Sequence, residues 1–312
     1  MRSAAASATT PALGDVAAYR GSLNALRSWL PRIVVAPTFV ASLIFVYGYI
    51  LWTAVLSLTP SRLLPNYEFA GFAQYVALFQ NERWWLALKN LALFGICFVA
   101  IALALGLALA ILLDQRIRGE GFIRSVYLYP MALSFIVTGT AWKWLLNPGL
   151  GIERLIRDWG YAQFTFDWLV NPDRAIYTVA IAGVWQSSGF VMALFLAGLR
   201  GIDDSIIKAA QVDGASLPTV YRRIIIPTLR PVFFSCVLVL THLAVKSFDL
   251  VVALTGGGPG FASDLPATFM YSFAFTRNQI ALGAASAIVM LMIVASVIVP
   301  FMYSELRRPR HD

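Results

Sequence analysis

The chain has 312 residues, 59% of them hydrophobic and 13% charged, with a mean hydropathy of +0.72. A soluble domain carries about 25% charged residues, so this composition excludes a chain that covers itself with polar surface in water. A net charge of +8 would suit nucleic acid in a soluble protein, but an apolar chain places its basic residues by a different rule.

The chain opens on an Ala/Ser-rich stretch, Met1 to Thr10, that superficially resembles a transit peptide; it reads better as part of a cytoplasmic tail over residues 1–32. A bilayer core takes about 20 apolar residues as a helix. Six stretches qualify: Ile33–Leu58, Leu86–Leu113, Ile123–Leu146, Ile176–Leu199, Val232–Leu254 and Ile280–Tyr303. The first is too long for a signal-peptide core and lacks a cleavage site, which makes it a retained anchor. The expected architecture is therefore all-α and polytopic, with six transmembrane helices in a membrane domain over 33–303 and a short cytoplasmic tail over 304–312.

Orientation follows from the basic residues, which concentrate on the cytoplasmic side. With the N-terminus inside, fifteen Lys and Arg fall in inside segments and seven in outside ones; Lys143 and Lys246 are intramembrane. Both termini are expected in the cytoplasm. Trp84, Trp85, Trp142, Trp144 and Trp168 then lie near the outer face, where indoles sit at headgroup level. The longest loop between spans, Asn147 to Ala175, contains Ile152–Trp159, which reads as a short amphipathic helix on the surface.

Catalysis and metals have little to work with. Cys97 and Cys236 sit in apolar runs, where a thiol behaves as a small hydrophobe. His242 and His311 are the only histidines, so HExxH and Cys/His zinc patterns are absent. No catalytic, metal or nucleic-acid site is expected.

The loop between the fourth and fifth spans, about 200–231, is the most informative segment. Asp203 or Asp204 can N-cap a helix through Ile206, Ile207, Ala209 and Ala210. Asp213-Gly214 is a turn signal, with Gly214 suited to positive φ. Ser216 can cap a second helix with Pro218 in its first turn, and Tyr221, Ile224 and Ile225 form an apolar face beside Arg222 and Arg223. An elbow with small alanines suits docking into a partner's groove; the alternative is a helix lying on lipid.

The segment Lys208-Ala209-Ala210, then Asp213-Gly214-Ala215, followed by Pro227 and Pro231, resembles the EAA motif of ABC importer permeases, and in particular the carbohydrate-uptake permeases of the maltose and glycerol-phosphate type. Further positions agree: Arg118-Gly-Glu-Gly-Phe-Ile-Arg124 with Pro130, Trp168-Leu-Val-Asn-Pro172, Leu196-Ala-Gly-Leu199, and Phe248 through Pro259. One departs, since the motif's leading Glu is Lys208 here, a basic residue that some glucose-type permeases share. The resemblance implies the type I ABC importer permease fold. Lys208, Ala209, Ala210, Asp213, Gly214 and Ala215 would belong to coupling helices that dock in an ATPase cleft. It also implies a second permease subunit, a dimer of ATPase subunits that hold ATP and magnesium, and an extracytoplasmic sugar-binding protein. This chain would then be no enzyme and carry no cofactor. It would move a sugar, such as glucose, across a bacterial inner membrane by alternating access. Glycerol phosphate or another polyol is the alternative cargo, and a proton-coupled secondary transporter using Asp249 and His242 the alternative class.

Two further features stand out. Gly256-Gly-Gly-Pro-Gly260 lacks the Lys and Ser/Thr of a phosphate-binding loop, and reads as a flexible turn at a helix end. The fifth span holds His242, Lys246 and Asp249, whose helical spacing puts them on one face. They would form either an internal ion pair or one polar wall of a sugar pathway, with Thr241 and Ser247 extending it. Trp185, Gln186, Ser187 and Ser188 in the fourth span are expected to line the same cavity. Pro227 and Pro231 should start or bend the fifth helix.

Overall fold

The computed structural model describes residues 13–115 and 117–306, and all regular structure among them is helical. Of the expected tails, 1–32 and 304–312, residues 1–12 and 307–312 lie outside the described residues, as does Arg116; 13–32 and 304–306 are helical instead. Two units are compact in themselves, residues 1–55 and 56–312. The first is the greater part of one helix, α1 (Leu13–Ser57), which begins well before the expected first span and contains it as Val34–Ser57.

In the second unit, α2 (Ala73–Phe79) precedes α3 (Glu82–Asp114), whose start is fixed by Asn81: its side chain accepts the Arg83 N–H at 3.0 Å. α3 and α7 (Ala175–Arg200) are long, unbroken spans and form the centre of the core. Phe94 and Phe98 stack at 5.4 Å within it. Close approach needs residues without side chains. A Cβ on Gly106 would fall 2.5 Å from Val191 Cγ1, and one on Gly189 would overlap the Tyr127 carbonyl.

Two of the six expected spans are not single helices. The third is α4 (Glu120–Ala132) and α5 (Phe135–Leu145), bent by 101°. Pro130 weakens the end of α4 by removing a donor, and Leu133 and Ser134 are extended. The Ser134 hydroxyl then caps α5 by accepting from Val137 N–H. Ahead of the fifth come α8 (Asp204–Val212), in the expected loop, and then α9 (Leu217–Val220), a π-helical turn at Tyr221–Ile225 and α10 (Ile226–Thr228), which together form the first arm of a bent pair over Leu217–Val245. This arm bends by 62° into α11 (Arg230–Val245), the bend that Pro227 and Pro231 led us to expect. α11 stops at Lys246, and a separate short helix, α12 (Asp249–Leu254), packs against α5.

Between α5 and α7 lies α6 (Ile152–Asp158), at the place of the expected surface helix; Arg157 Nε donates to Phe164 O at 2.8 Å and Phe166 N–H to Glu153 Oε2 at 3.0 Å, tying it to the segment that follows. After α12 come α13 (Pro266–Tyr271), a π turn at Ser272–Thr276, and α14 (Ile280–Leu306), the last span. A second, smaller core gathers Trp84, Phe269, Phe273 and Leu282, with Trp84 and Phe269 at 5.2 Å. Counted together, four described helices can cross a membrane, or six if each bent pair is one span.

Candidate functional site

The loop between α7 and α11 is built as local sequence dictates. The Asp203 side chain accepts from Ser205 N–H at 2.8 Å and starts α8. That backbone bond, joined by the Ser205 side chain and Lys208, holds the Asp203 carboxyl below the usual carboxylate range. Asp213 ends α8 by donating its N–H to Ala209 O. Gly214 follows at φ +83°, and Ala215 N–H bonds back to Ala210 O at 3.0 Å. Such a left-handed position suits glycine because it lacks Cβ.

The loop is anchored from one side only. Val220, Ile225 and Leu229 are buried, and Ile207, Ala210, Ala215, Tyr221 and Ile224 pack on the α3–α7 core. Arg200, the last residue of α7, reaches Glu120 at 2.8 Å and Asp114 at 3.8 Å. Gln115 donates to the Tyr221 hydroxyl at 3.4 Å. Of the six residues assigned to docking, Lys208, Ala209, Asp213 and Gly214 face outward, whereas Ala210 and Ala215 turn toward the core. Two apolar side chains that the motif does not name are more exposed than any of these needs to be: Val212 at 87% and Leu217 at 60%. The period of α8 held the signal, since Ile207 and Ala210 on one face leave Val212 on another.

On α11, Cys236, Leu240, Ala244 and Val245 are buried, and the opposite side exposes Arg230, Phe234, Ser235, His242 and Lys246. Asp249 is exposed as well, but it belongs to α12. The expectation that all three ionisable groups share one helix face is corrected by the break at Lys246 to Phe248, where the Ser247 hydroxyl bonds back to Leu243 O at 2.8 Å. Back-bonding of this kind competes with the helix ladder.

The fourth-span residues go elsewhere. Trp185 meets Trp142 edge-on at 5.9 Å and lines a cavity of about 930 Å³ with Tyr127, Tyr129, Trp168 and Tyr177. None of His242, Lys246 and Asp249 reaches that cavity, so a shared cavity is not what the fold provides. Gln186 is 3% exposed, and its Nε2 donates to Leu133 O at 2.8 Å, satisfying a carbonyl freed by the break between α4 and α5. Ser187 is buried, and Ser188, though largely buried, lines the cavity together with Trp185.

Sequence reasoning missed one cluster entirely. At the end of α3 opposite Asp114, Arg83 Nε donates to Asp264 Oδ2 at 2.8 Å and Nη2 to Oδ1 at 3.3 Å. The Asp264 side chain is 2% exposed. Thr268 Oγ1 donates to Asp264 Oδ1 at 2.6 Å, and Asn90 Nδ2 donates to the carbonyls of Phe261 and Asp264. The partners lie 181 positions apart in sequence, so no local pattern could pair them. The clue was an acidic residue inside a stretch that buries everything around it. Beside this cluster the Gly256–Gly260 run is stitched rather than loose: Ser263 Oγ lies 2.7 Å from Thr255 Oγ1 and from Gly258 O.

A family model described as "Binding-protein-dependent transport system inner membrane component" matches residues 100–308. The chain belongs to that family. It is 38% identical over 278 residues to a probable ABC transporter permease protein of Pyrococcus horikoshii, covering 88% of this chain and 95% of the relative. It is 37% identical over 274 residues to the xylose/arabinose import permease protein XacH of Haloferax volcanii, covering 86% of each. Its expected place among carbohydrate-uptake ABC permeases of the inner membrane therefore stands. A crystal structure of a bacterial ABC transporter involved in import of the acidic polysaccharide alginate superposes with a TM-score of 0.76 at 20% identity, covering 93% of this chain and 100% of that one. This likeness carries the fold, that of an ABC importer permease.

Proposed function

We propose that this chain is one of two permease subunits of an importer that carries a sugar, a monosaccharide such as glucose, inward by alternating access. The membership reported above supports the class, and the named pentose cargo of the Haloferax relative supports a small sugar. The observation that carries the reading is the loop over 203–217, anchored on its inner side and presenting Lys208, Ala209, Val212, Asp213, Gly214 and Leu217 outward. Exposed apolar side chains on a rigid elbow are what a helix-in-groove contact needs.

In this reading a separate ATPase dimer holds ATP and magnesium and receives the elbow, with both termini of this chain on the same cytoplasmic side. Closing the ATPase pair shifts the spans as rigid bodies between inward-open and outward-open arrangements. A sugar-binding protein delivers cargo at the opposite end. Lys208 stands where the family motif has Glu, so it would meet a different charge on the ATPase surface.

The exposed stripe of α11 and the start of α12 would line the pathway. A Lys or Asp facing hydrocarbon at the helix centre costs about 2.5–3.5 kcal/mol, which favours water or the second permease beside His242, Lys246 and Asp249. Charged groups there can hydrogen-bond sugar hydroxyls. Uptake of labelled glucose into proteoliposomes holding the complete importer tests this. Lys246→Ala and Asp249→Ala should each lower uptake with the ATPase still assembled, and unchanged uptake in both removes the pathway assignment. Uptake of labelled glycerol phosphate but not of labelled glucose would move the cargo to the alternative class.

A further inference from the structure

We infer that Arg83 and Asp264 are positioning residues for import: their buried ion pair fixes the Gly256–Phe261 turn and, through it, the α12 end of the fifth span, so that cargo hand-over at this end depends on it. The inference rests on the proposed importer reading, since it assigns the pair a place in that cycle.

The turn cannot hold itself in place from outside. Four of its residues are glycines, and Gly256, Gly257 and Gly260 have φ between +60° and +86°. Its glycines have no side chains to pack, so it is held by groups beneath it. Thr255 and Ser263 hydroxyls close it internally. The connection to another span runs through α3: Asn90 Nδ2 takes the carbonyls of Phe261 and Asp264 at 3.3 and 3.0 Å. The Arg83 guanidinium, lying 4.1 Å over the Phe261 ring, clamps Asp264 through two nitrogens and reaches Ser272 Oγ at 3.2 Å with the third. A Cβ on Gly257 would sit 3.3 Å from Asp264 Oδ1, so the turn rests directly on the clamped carboxylate.

The chemistry chosen is informative. Burying two charges costs desolvation, and an apolar pair of similar volume would hold two helices together as well or better. What an apolar pair lacks is direction: a fork of two parallel N–H···O bonds sets both distance and orientation. Direction matters here because of what the turn adjoins. Thr255 follows α12 without a break, and α12 opens on Asp249 and lies against α5, the outer half of the other bent span. Gly256 and Gly260 are exposed with open space beyond their Cβ positions. The clamp thus joins an accessible backbone surface, a short pathway helix and a long core span into one rigid corner.

The test uses the complete importer in proteoliposomes, with ATPase activity measured with and without the sugar-loaded binding protein, per assembled complex. Asp264→Asn keeps the shape and removes the charge that fixes the fork. It should lower the stimulated rate and the uptake about tenfold, the effect of leaving a buried charged donor poorly satisfied. It should also raise the binding-protein concentration for half-maximal stimulation, while the unstimulated ATPase rate, which needs no hand-over at this end, stays at the parent's level. Arg83→Lys, which keeps charge but loses the fork, should fall between. If Asp264→Asn does not assemble, Thr268→Val removes one bond to the carboxylate and should show the same split on a smaller scale. A stimulated-to-unstimulated ratio equal to the parent's in complexes that do assemble overturns the inference, because a purely structural role changes yield and not that ratio. A parent complex without ATP-dependent sugar uptake would instead overturn the importer reading itself.

Discussion

The two ends of α3 are organised in opposite ways. At Asp114 the neighbouring loop is capped, turned and exposed by residues next to one another in sequence, from Asp203 to Ser216, and only its inner face is packed. At Arg83 the polar groups are buried and drawn from distant segments, with Asp264 and Thr268 answering Arg83 and Asn90. One end presents an exposed outer face; the other is closed on itself. Changes at the closed end should therefore cost stability first, and changes at the open end should cost coupling with the fold intact.

The largest effect belongs to the closed end. Asp264→Ala leaves Arg83 buried without its carboxylate and should cost about 3–5 kcal/mol, seen as a lowered Tm of the detergent-solubilised protein. Arg83→Met with Asp264→Leu should recover most of that stability but not the stimulated ATPase rate; recovery of both would erase the distinction between holding and positioning. Next, Gly189→Val forces a side chain into the Tyr127 carbonyl and should cost about 1–3 kcal/mol by overpacking, again read in Tm.

At the open end, Gly214→Val places a β-branched residue at φ +83°, with a local strain of about 1–2 kcal/mol. Uptake should fall far more than Tm. Leu217→Asp and Val212→Asp alter exposed positions and should move stability by no more than about 0.5 kcal/mol while weakening co-purification of the ATPase. The smallest effect is acid sensitivity of the α8 cap. Because the folded Asp203 carboxyl is held below its usual range by Ser205 N–H, its stabilisation is present above the unfolded value and is lost as pH falls through the folded one. Asp203→Asn should flatten that part of the pH profile of loop protection in hydrogen exchange.

How much of this could be read from sequence follows the same division. The cap at Asp203, the turn at Gly214 and the bend at Pro227 and Pro231 are local, and each stands where spacing put it. Hydropathy found four spans that are single described helices and two more only if each bent pair counts as one, and it missed the breaks at Leu133 and Ser247, which depend on which carbonyls find other partners. Gln186 illustrates the limit: a polar residue in a span was assigned to a pathway, and it instead supplies the amide that Leu133 O needs. Asp249 was placed beside His242 and Lys246 by a helical period that the chain interrupts between them. Arg83 and Asp264, 181 positions apart, carried no local signal that could pair them.

The most direct test of the central claim is ATP-dependent sugar uptake by the reconstituted importer, compared between the parent and Gly214→Val at equal amounts of folded permease. A docking role for the loop predicts uptake in the parent that requires the ATPase and is lost in the variant. Uptake that persists without the ATPase and collapses with the proton gradient would contradict it.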